Sequence, residues 1–520
     1  TYLSYRCLAD ATRFTDAWQV FNGQMRPAAY RQDQLATTHP VATTVEHTDQ
    51  AVGNFDAITY EKGAAVIKQL VATLGDEAFR EGLHAYIDRH AWANATLADF
   101  LSALGDAAGH SLDEWAQVWL QTPSLNTIGA EWTVEAGRLS GLSLRQSAPD
   151  GHPTLRPHTT RVGLVSGNGQ GGLSVEAIAA EISNDEVRLA EVEGRPAPLF
   201  VYPNHGDHDY ALIALDPISL DFALERLPEL PDPLLRQQVW STLWEMVRAG
   251  QLRSTDYLEA VRQFAPGEQD RSLVGSIVER ARVAQRRYLP EVESGAVSRA
   301  LTEAALAALR STNDPDLQLV GARSAVGFAA HPTDITELLA LVDGRWSIEG
   351  FEPDQQLRWT LAVKAAAFAL EGAMERVARE SQRDPSDRGQ RAAIRAEVSR
   401  PEASAKDAAW TSINGEGYGS DYLTRAAISG FQWQHQRELT VPFRESFYEH
   451  LAGVYRTRDH AYAEAYLRWL VPDLWAEPGE LARMCTYTAG LDAKQEPVSY
   501  THLTLPTMRL RCRSRWAPDH

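Results

Sequence analysis

The chain has 520 residues, 44% of them hydrophobic and 23% charged, with a formal net charge of −19. That length exceeds a single compact core and predicts about three domains of an ordinary globular protein. The acidic balance excludes a broad nucleic-acid-binding face, which needs a basic stripe, and no apolar run approaches the roughly 20 residues that cross a bilayer. Neither a nucleic-acid nor a membrane partner is expected. Cys7, Cys485 and Cys512 are odd in number, far apart and without metal-site spacing, which predicts neither a disulfide framework nor a cysteine zinc site and suggests a cytoplasmic protein.

The chain opens on Thr1, without an initiator Met or a processed leader, so residues that once preceded Thr1 are expected to be missing. Residues 1–124 read as helical. The stretch Phe55–Leu74 is apolar at helical spacing and stops at Gly75. A second helix opens at Asp76, with Phe79, Leu83 and Tyr86 or Ile87 on one face. Thr96 is placed to cap a third helix carrying Phe100, Leu101 and Leu104. Ser111 is placed to cap a fourth, with Glu114 as its capping-box partner.

From about residue 125 the period becomes two. Short alternating runs at 131–135, 142–144, 160–165 and 187–192, separated by Gly- and Asn-rich turns, predict a small β-sandwich over 125–215. The glycines of Gly167-Asn168-Gly169-Gln170-Gly171 suggest a phosphate loop, but no Lys-Ser/Thr and no helix follow, so a hairpin turn is expected. His205-Gly206-Asp207-His208 offers a possible metal pair, against which stands a solvated loop at a strand end; the loop is the reading adopted.

Residues 216–496 return to helical periodicity. Trp240, Leu243, Trp244 and Val247 form one stripe, and Leu301, Ala305, Leu306 and Leu309 another. Pro231-Asp232-Pro233, Asn313-Asp314-Pro315 and Arg383-Asp384-Pro385 punctuate them, as in paired helices stacked into a solenoid without a strict repeat. Trp410 and Trp433 are expected in helix interfaces, and Arg437 and Arg444 in ordinary pairings rather than on a peptide carboxylate. The fold class is therefore mostly α with a small β-sandwich. Residues 497–520 lose the periodicity and hold Arg509, Arg511, Arg513 and Arg515; a non-native tail is expected there, with a basic binding tail as the alternative.

The most informative run is Phe55-Asp56-Ala57-Ile58-Thr59-Tyr60-Glu61-Lys62-Gly63. It resembles the tyrosine-bearing helix of the zinc aminopeptidase N family. Thr38-His39-Pro40-Val41 is similar to the His-Pro segment that precedes that helix, and Thr1-Tyr2-Leu3-Ser4 to the continuation of the family's zinc-ligand segment. The resemblance covers roughly residues 1–490. It implies the helical lobe of a thermolysin-like catalytic domain over 1–124, a β-sandwich over 125–215 and a large helical domain over 216–496. It further implies peptide substrates, zinc in the intact enzyme, and Tyr60 as the catalytic residue that donates a hydrogen bond to the tetrahedral oxyanion. A phenol, with an ordinary pKa of about 10, keeps its proton at neutral pH and suits that task.

The metal-binding pattern is another matter. A zinc aminopeptidase needs HExxH and a downstream Glu, and none of the fifteen histidines is followed by Glu. The Gly-x-Met-Glu-Asn segment that holds a substrate's amino terminus is absent as well. The chain alone is therefore expected to lack zinc ligands and activity, with the N-terminal portion of the same polypeptide as its missing partner and a monomer as its state. The alternative is a non-catalytic helical scaffold that binds peptides or proteins.

Overall fold

The computed structural model describes residues 1–35, 37–44, 55–471, 482–484, 486 and 487. The tail at 497–520 and two of the three cysteines, Cys485 and Cys512, lie outside them. The chain divides into two compact units, Thr1–Leu252 and Arg253–His520.

The first unit begins with helices α1 (Tyr2–Ala11), α2 (Ala17–Val20) and α3 (Arg26–Asp33), a π-turn at Phe21–Met25 joining the last two. A second π-turn, Ile58–Lys62, runs into α4 (Gly63–Leu74), which ends at Gly75 with φ +82°. Then come α5 (Asp76–Arg89), α6 (Leu97–Ala108) and α7 (Asp113–Trp119). Thr96 caps α6 as expected, in a capping box with Asp99. On α5, Tyr86 is the inward residue, edge-on to Phe100, and Ile87 is exposed. At α7 the expectation fails in detail. The Ser111 hydroxyl accepts from the Asp113 N–H and bonds the Asp113 carboxylate, a two-residue turn that leaves Glu114 out.

Seven strands follow: β1 (Thr127–Glu135), β2 (Arg138–Ser147), β3 (His158–Gly167), β4 (Leu173–Ile182), β5 (Glu186–Arg188), β6 (Phe200–Tyr202) and β7 (Leu212–Ala214). They form one sheet in the order β5-β2-β1-β7 and another in the order β4-β3-β6. The run at 187–192 is strand only as far as Arg188; Ala190–Val192 is a 3₁₀ turn that buries Val192. The glycine-rich segment is the β3–β4 hairpin turn, in which Asn168 Oδ1 accepts from the Gln170 and Gly172 amides. Helices α8 (Pro217–Arg226) and α9 (Pro233–Arg248) complete the unit, each opened by an Asp cap and a Pro. On α9, Trp240, Leu243, Trp244 and Val247 are all buried.

The regular structure of the second unit is all helical among its described residues. Its helices are α10 (Ser254–Phe264), α11 (Arg271–Arg287), α12 (Glu291–Ser311), α13 (Pro315–Phe328), α14 (Pro332–Val342), α15 (Gln355–Ala367), α16 (Ala373–Arg383), α17 (Asp387–Val398), α18 (Ala403–Asn414), α19 (Asp421–Phe431), α20 (Arg444–Thr457) and α21 (His460–Leu470). A recurring device joins them. Helix C-termini leave carbonyls unsatisfied, and buried side chains from other segments take them. Lys364 Nζ donates to Gly327 O and Ala329 O, Lys406 Nζ to Val398 O and Phe431 O, and Gln436 Nε2 to Ala367 O and Ser399 O. Trp410 fills the interface among α18, α19 and α20, its indole N–H on Ser446.

Candidate functional site

Tyr60 stands in the π-turn Ile58–Lys62, with its side chain 44% exposed and its ring 5.9 Å from that of Phe55, itself exposed. A π-turn costs ladder geometry and is found often at functional positions. Here the cost is offset by Asp56, which starts the segment. Its Oδ1 accepts from the Ile58 and Thr59 amides at 3.1 and 3.0 Å, and its carbonyl accepts from the Tyr60 amide. Its Oδ2 takes the Gln32 amide and His39 Nε2, the latter at 2.8 Å. Gln32 also accepts from the Ala57 N–H through Oε1. The bond to Asp56 raises the His39 imidazole above its ordinary value. Burial opposes ionisation of Asp56, but His39 and the amides outweigh it and hold the carboxyl low. The tyrosine is thus presented by a charge-assisted cap that reaches back to α3 and to the His-Pro segment.

The other side of the turn is anchored more deeply. Lys62 and Asp33 are fully buried and pair at 2.9 Å. Lys62 also donates to Ser124 O, while Asp33 accepts from the Ser124 N–H, the Thr38 hydroxyl and the Tyr210 hydroxyl. Burial pulls the lysine down and Asp33 pulls it back up, with the net effect downward. Between the two anchors Glu61 is half-buried, its carboxyl raised by burial and by the Asp56 charge.

A second buried network lies around Asp207, and it corrects the solvated-loop reading of 205–208. Asp207 is 1% exposed with φ +61°, paired with Arg26 at 3.1 Å and Lys68 at 3.4 Å, and accepts from Asn22. His208 is pushed down to about 4 by burial and the nearby Lys68. The loop is pulled inward because two cations from α3 and α4 need a carboxylate. The sequence signal was available: Lys68 sits in the apolar run of α4, where a lysine needs a buried partner.

Among the described residues, no three His, Cys, Asp or Glu side chains come together as a group able to hold a metal ion. No helix among the described residues is long and apolar enough to cross a membrane. Arg437 forms an ion pair with Glu291, the ordinary pairing expected of it.

Comparison with known proteins bears on this arrangement directly. The peptidase family M1 domain matches residues 1–119, and the ERAP1-like C-terminal domain matches residues 200–494. The chain is 34% identical over 503 residues to aminopeptidase N of Streptomyces lividans, covering 95% of this chain and 59% of that protein. It is 32% identical over 120 residues to probable aminopeptidase 2 of Sulfurisphaera tokodaii, or 23% of this chain and 15% of that one. It is also 26% identical over 267 residues to the tricorn protease-interacting factor F2 of Thermoplasma acidophilum, or 51% and 31%. The chain thus spans less than two thirds of the length of these relatives.

Proposed function

The chain belongs to the M1 aminopeptidase N family, and from that premise we propose that it is the tyrosine-bearing portion of an enzyme that hydrolyses N-terminal residues from peptides. Zinc belongs to the intact enzyme and is held by residues outside this chain, so the chain alone is inactive. Tyr60 donates its phenolic hydrogen to the oxyanion that forms when the scissile carbonyl is attacked, a charge that exists only on the way to the tetrahedral intermediate. Asp56, Gln32 and His39 position it by fixing the backbone from which it projects. The domain partition is proposed in the same terms: a helical catalytic lobe over residues 1–124, a sandwich over 125–215 and a helical domain over 216–496, with 497–520 a non-native tail. A cytoplasmic monomer is the proposed state.

The observation that carries this reading is an exposed tyrosine on a π-turn flanked by a part-buried His39–Asp56 pair on one side and a fully buried Lys62–Asp33 pair on the other. The test is the release of p-nitroaniline from leucine p-nitroanilide by two preparations. One is the chain alone with added zinc, and the other is the polypeptide extended on its N-terminal side. Turnover confined to the extended form supports the proposal. Turnover by the 520-residue chain, or by neither form, contradicts it.

A further inference from the structure

Four consecutive helices of the second unit leave a blind pocket between them. Helices α10, α11, α12 and α13 surround a space of about 580 Å³, its open mouth included, and the enclosed part has room for about four waters. Exposure falls along the lining. Gln269 and Ser311 stand exposed at the mouth, while Val274, Leu301, Gly321 and Phe328 are buried at the floor. The gap has a local cause. Where α12 and α13 cross, the backbones already touch: a Cβ on Gly321 would stand 3.1 Å from Leu309 Cα. The helices cannot close further there, and beside the crossing the wall is made of the short side chains of Ala304, Ala305 and Ala308.

The hydroxyls of the wall are satisfied locally. Ser324 donates to Val320 O and Ser311 to Ala308 O, while Thr312 Oγ1 accepts from the Asp314 N–H. The body of an occupant therefore meets carbon. Protein interiors are close-packed, so an apolar gap costs stability that an apolar occupant restores.

The mouth is different in kind. Glu268 lines it and accepts from the Gln269 and Asp270 amides through Oε1. Arg262, also in the lining, is taken by Glu259 through two bonds of 2.7 and 2.5 Å. Close by, Asp270 caps α11 and Asp314 caps α13, and Arg271 joins Asp314 to Asp316. Arg310, on the last turn of α12, is neutralised by Glu337. Five carboxylates thus share this end of the helices with two further guanidiniums, Arg262 and Arg271. The surplus is negative and draws a cation.

We propose that this pocket binds a small branched alkylamine, with an apolar body of about four to six non-hydrogen atoms in the cleft and its protonated amino group at Glu268. An acid of the same shape would bring like charge to the carboxylates. The site does not involve Tyr60 and does not rest on the peptidase reading.

The test is a saturation-transfer NMR titration of the full chain at constant ionic strength and pH 7, where the amine is protonated. The probes are 3-methylbutylamine and its acid analogue, 4-methylpentanoate. An amine of this size should bind with a Kd of about 1 mM, and the acid at least tenfold more weakly. Ala308→Leu fills the pocket, so it should weaken the amine at least tenfold while the melting temperature holds or rises. Glu268→Gln keeps the oxygen that accepts the two amides and should weaken the amine about threefold. No saturable binding of the amine below about 10 mM, or acid bound as tightly as amine, overturns the proposal. So does an amine affinity that either substitution leaves unchanged. A melting temperature lowered by several degrees in Ala308→Leu would mean that there is no room at that position, and would overturn it as well.

Discussion

Asp33→Asn tests how the π-turn carrying Tyr60 is anchored. The substitution keeps the shape of the side chain and an oxygen for the Ser124 amide and the Thr38 hydroxyl, but removes the charge opposite Lys62. Both partners are fully buried, so the ammonium has no water to turn to. Breaking such a pair from one side costs about 3–5 kcal/mol. A second route gives a ceiling: shedding the proton at pH 7 against an ordinary lysine value near 10.4 costs about 4–5 kcal/mol. The two figures agree, and the second fixes the pH dependence. Each unit of rise toward 10 lowers the price of neutralising Lys62 by about 1.4 kcal/mol, so at pH 9 the damage should shrink by roughly 2–3 kcal/mol. Hydrogen exchange of the peptide covering residues 58–74 measures the opening free energy where it matters, and urea unfolding by far-UV circular dichroism measures the whole. A loss under about 1 kcal/mol at pH 7, or the same loss at pH 7 and pH 9, would refute the reasoning.

Other consequences can be checked with less work. His39 has a folded pKa raised by Asp56, so its contribution is complete below the ordinary value near 6.5 and is lost as pH rises through the folded one; an imidazole NMR titration should show a raised midpoint that Asp56→Asn brings back down. Lys364 and Lys406 are pushed down to about 7 by burial. Between pH 7 and about 10 the unfolded chain holds more protons at these sites, so thermal stability of the second unit should climb over that window, and more shallowly in Lys406→Met. Gly82→Ala places a Cβ 2.8 Å from Leu104 Cα; backbone cannot yield there as a side-chain tip can, and calorimetry should register a loss of about 1–3 kcal/mol.

The fold was legible where local rules act alone. Periodicity marked the helices at 76–89 and 97–108 and the stretch 55–74, of which 63–74 is α-helix and 58–62 a π-turn, and the Asp-Pro turn signals at 232 and 314 fall where the structure opens helices capped by those carboxylates. Tyr60 could be singled out because its neighbours form a contiguous run. What anchors its turn could not, because Lys62 meets Asp33 from 29 positions away, and the second network was hidden likewise, Asp207 meeting Arg26 and Lys68 from 181 and 139 positions away. The loop at 205–208 looked polar and hence wet; burial there is set by partners that no local window contains. Ser111 failed for a smaller reason, since a hydroxyl has a competing acceptor and donor two residues on and took it. A lysine inside an apolar helical run, as at 62 and 68, is the sign that would have exposed both networks.

The most direct measurement is the turnover number of Tyr60→Phe in the intact zinc-loaded enzyme, with metal content determined on the same sample. Losing one oxyanion donor predicts a fall in kcat of about 10²–10³, or roughly 2.7–4 kcal/mol, with zinc retained and the fold unchanged. A kcat within a few-fold of the parent at full zinc occupancy would contradict the role given to Tyr60.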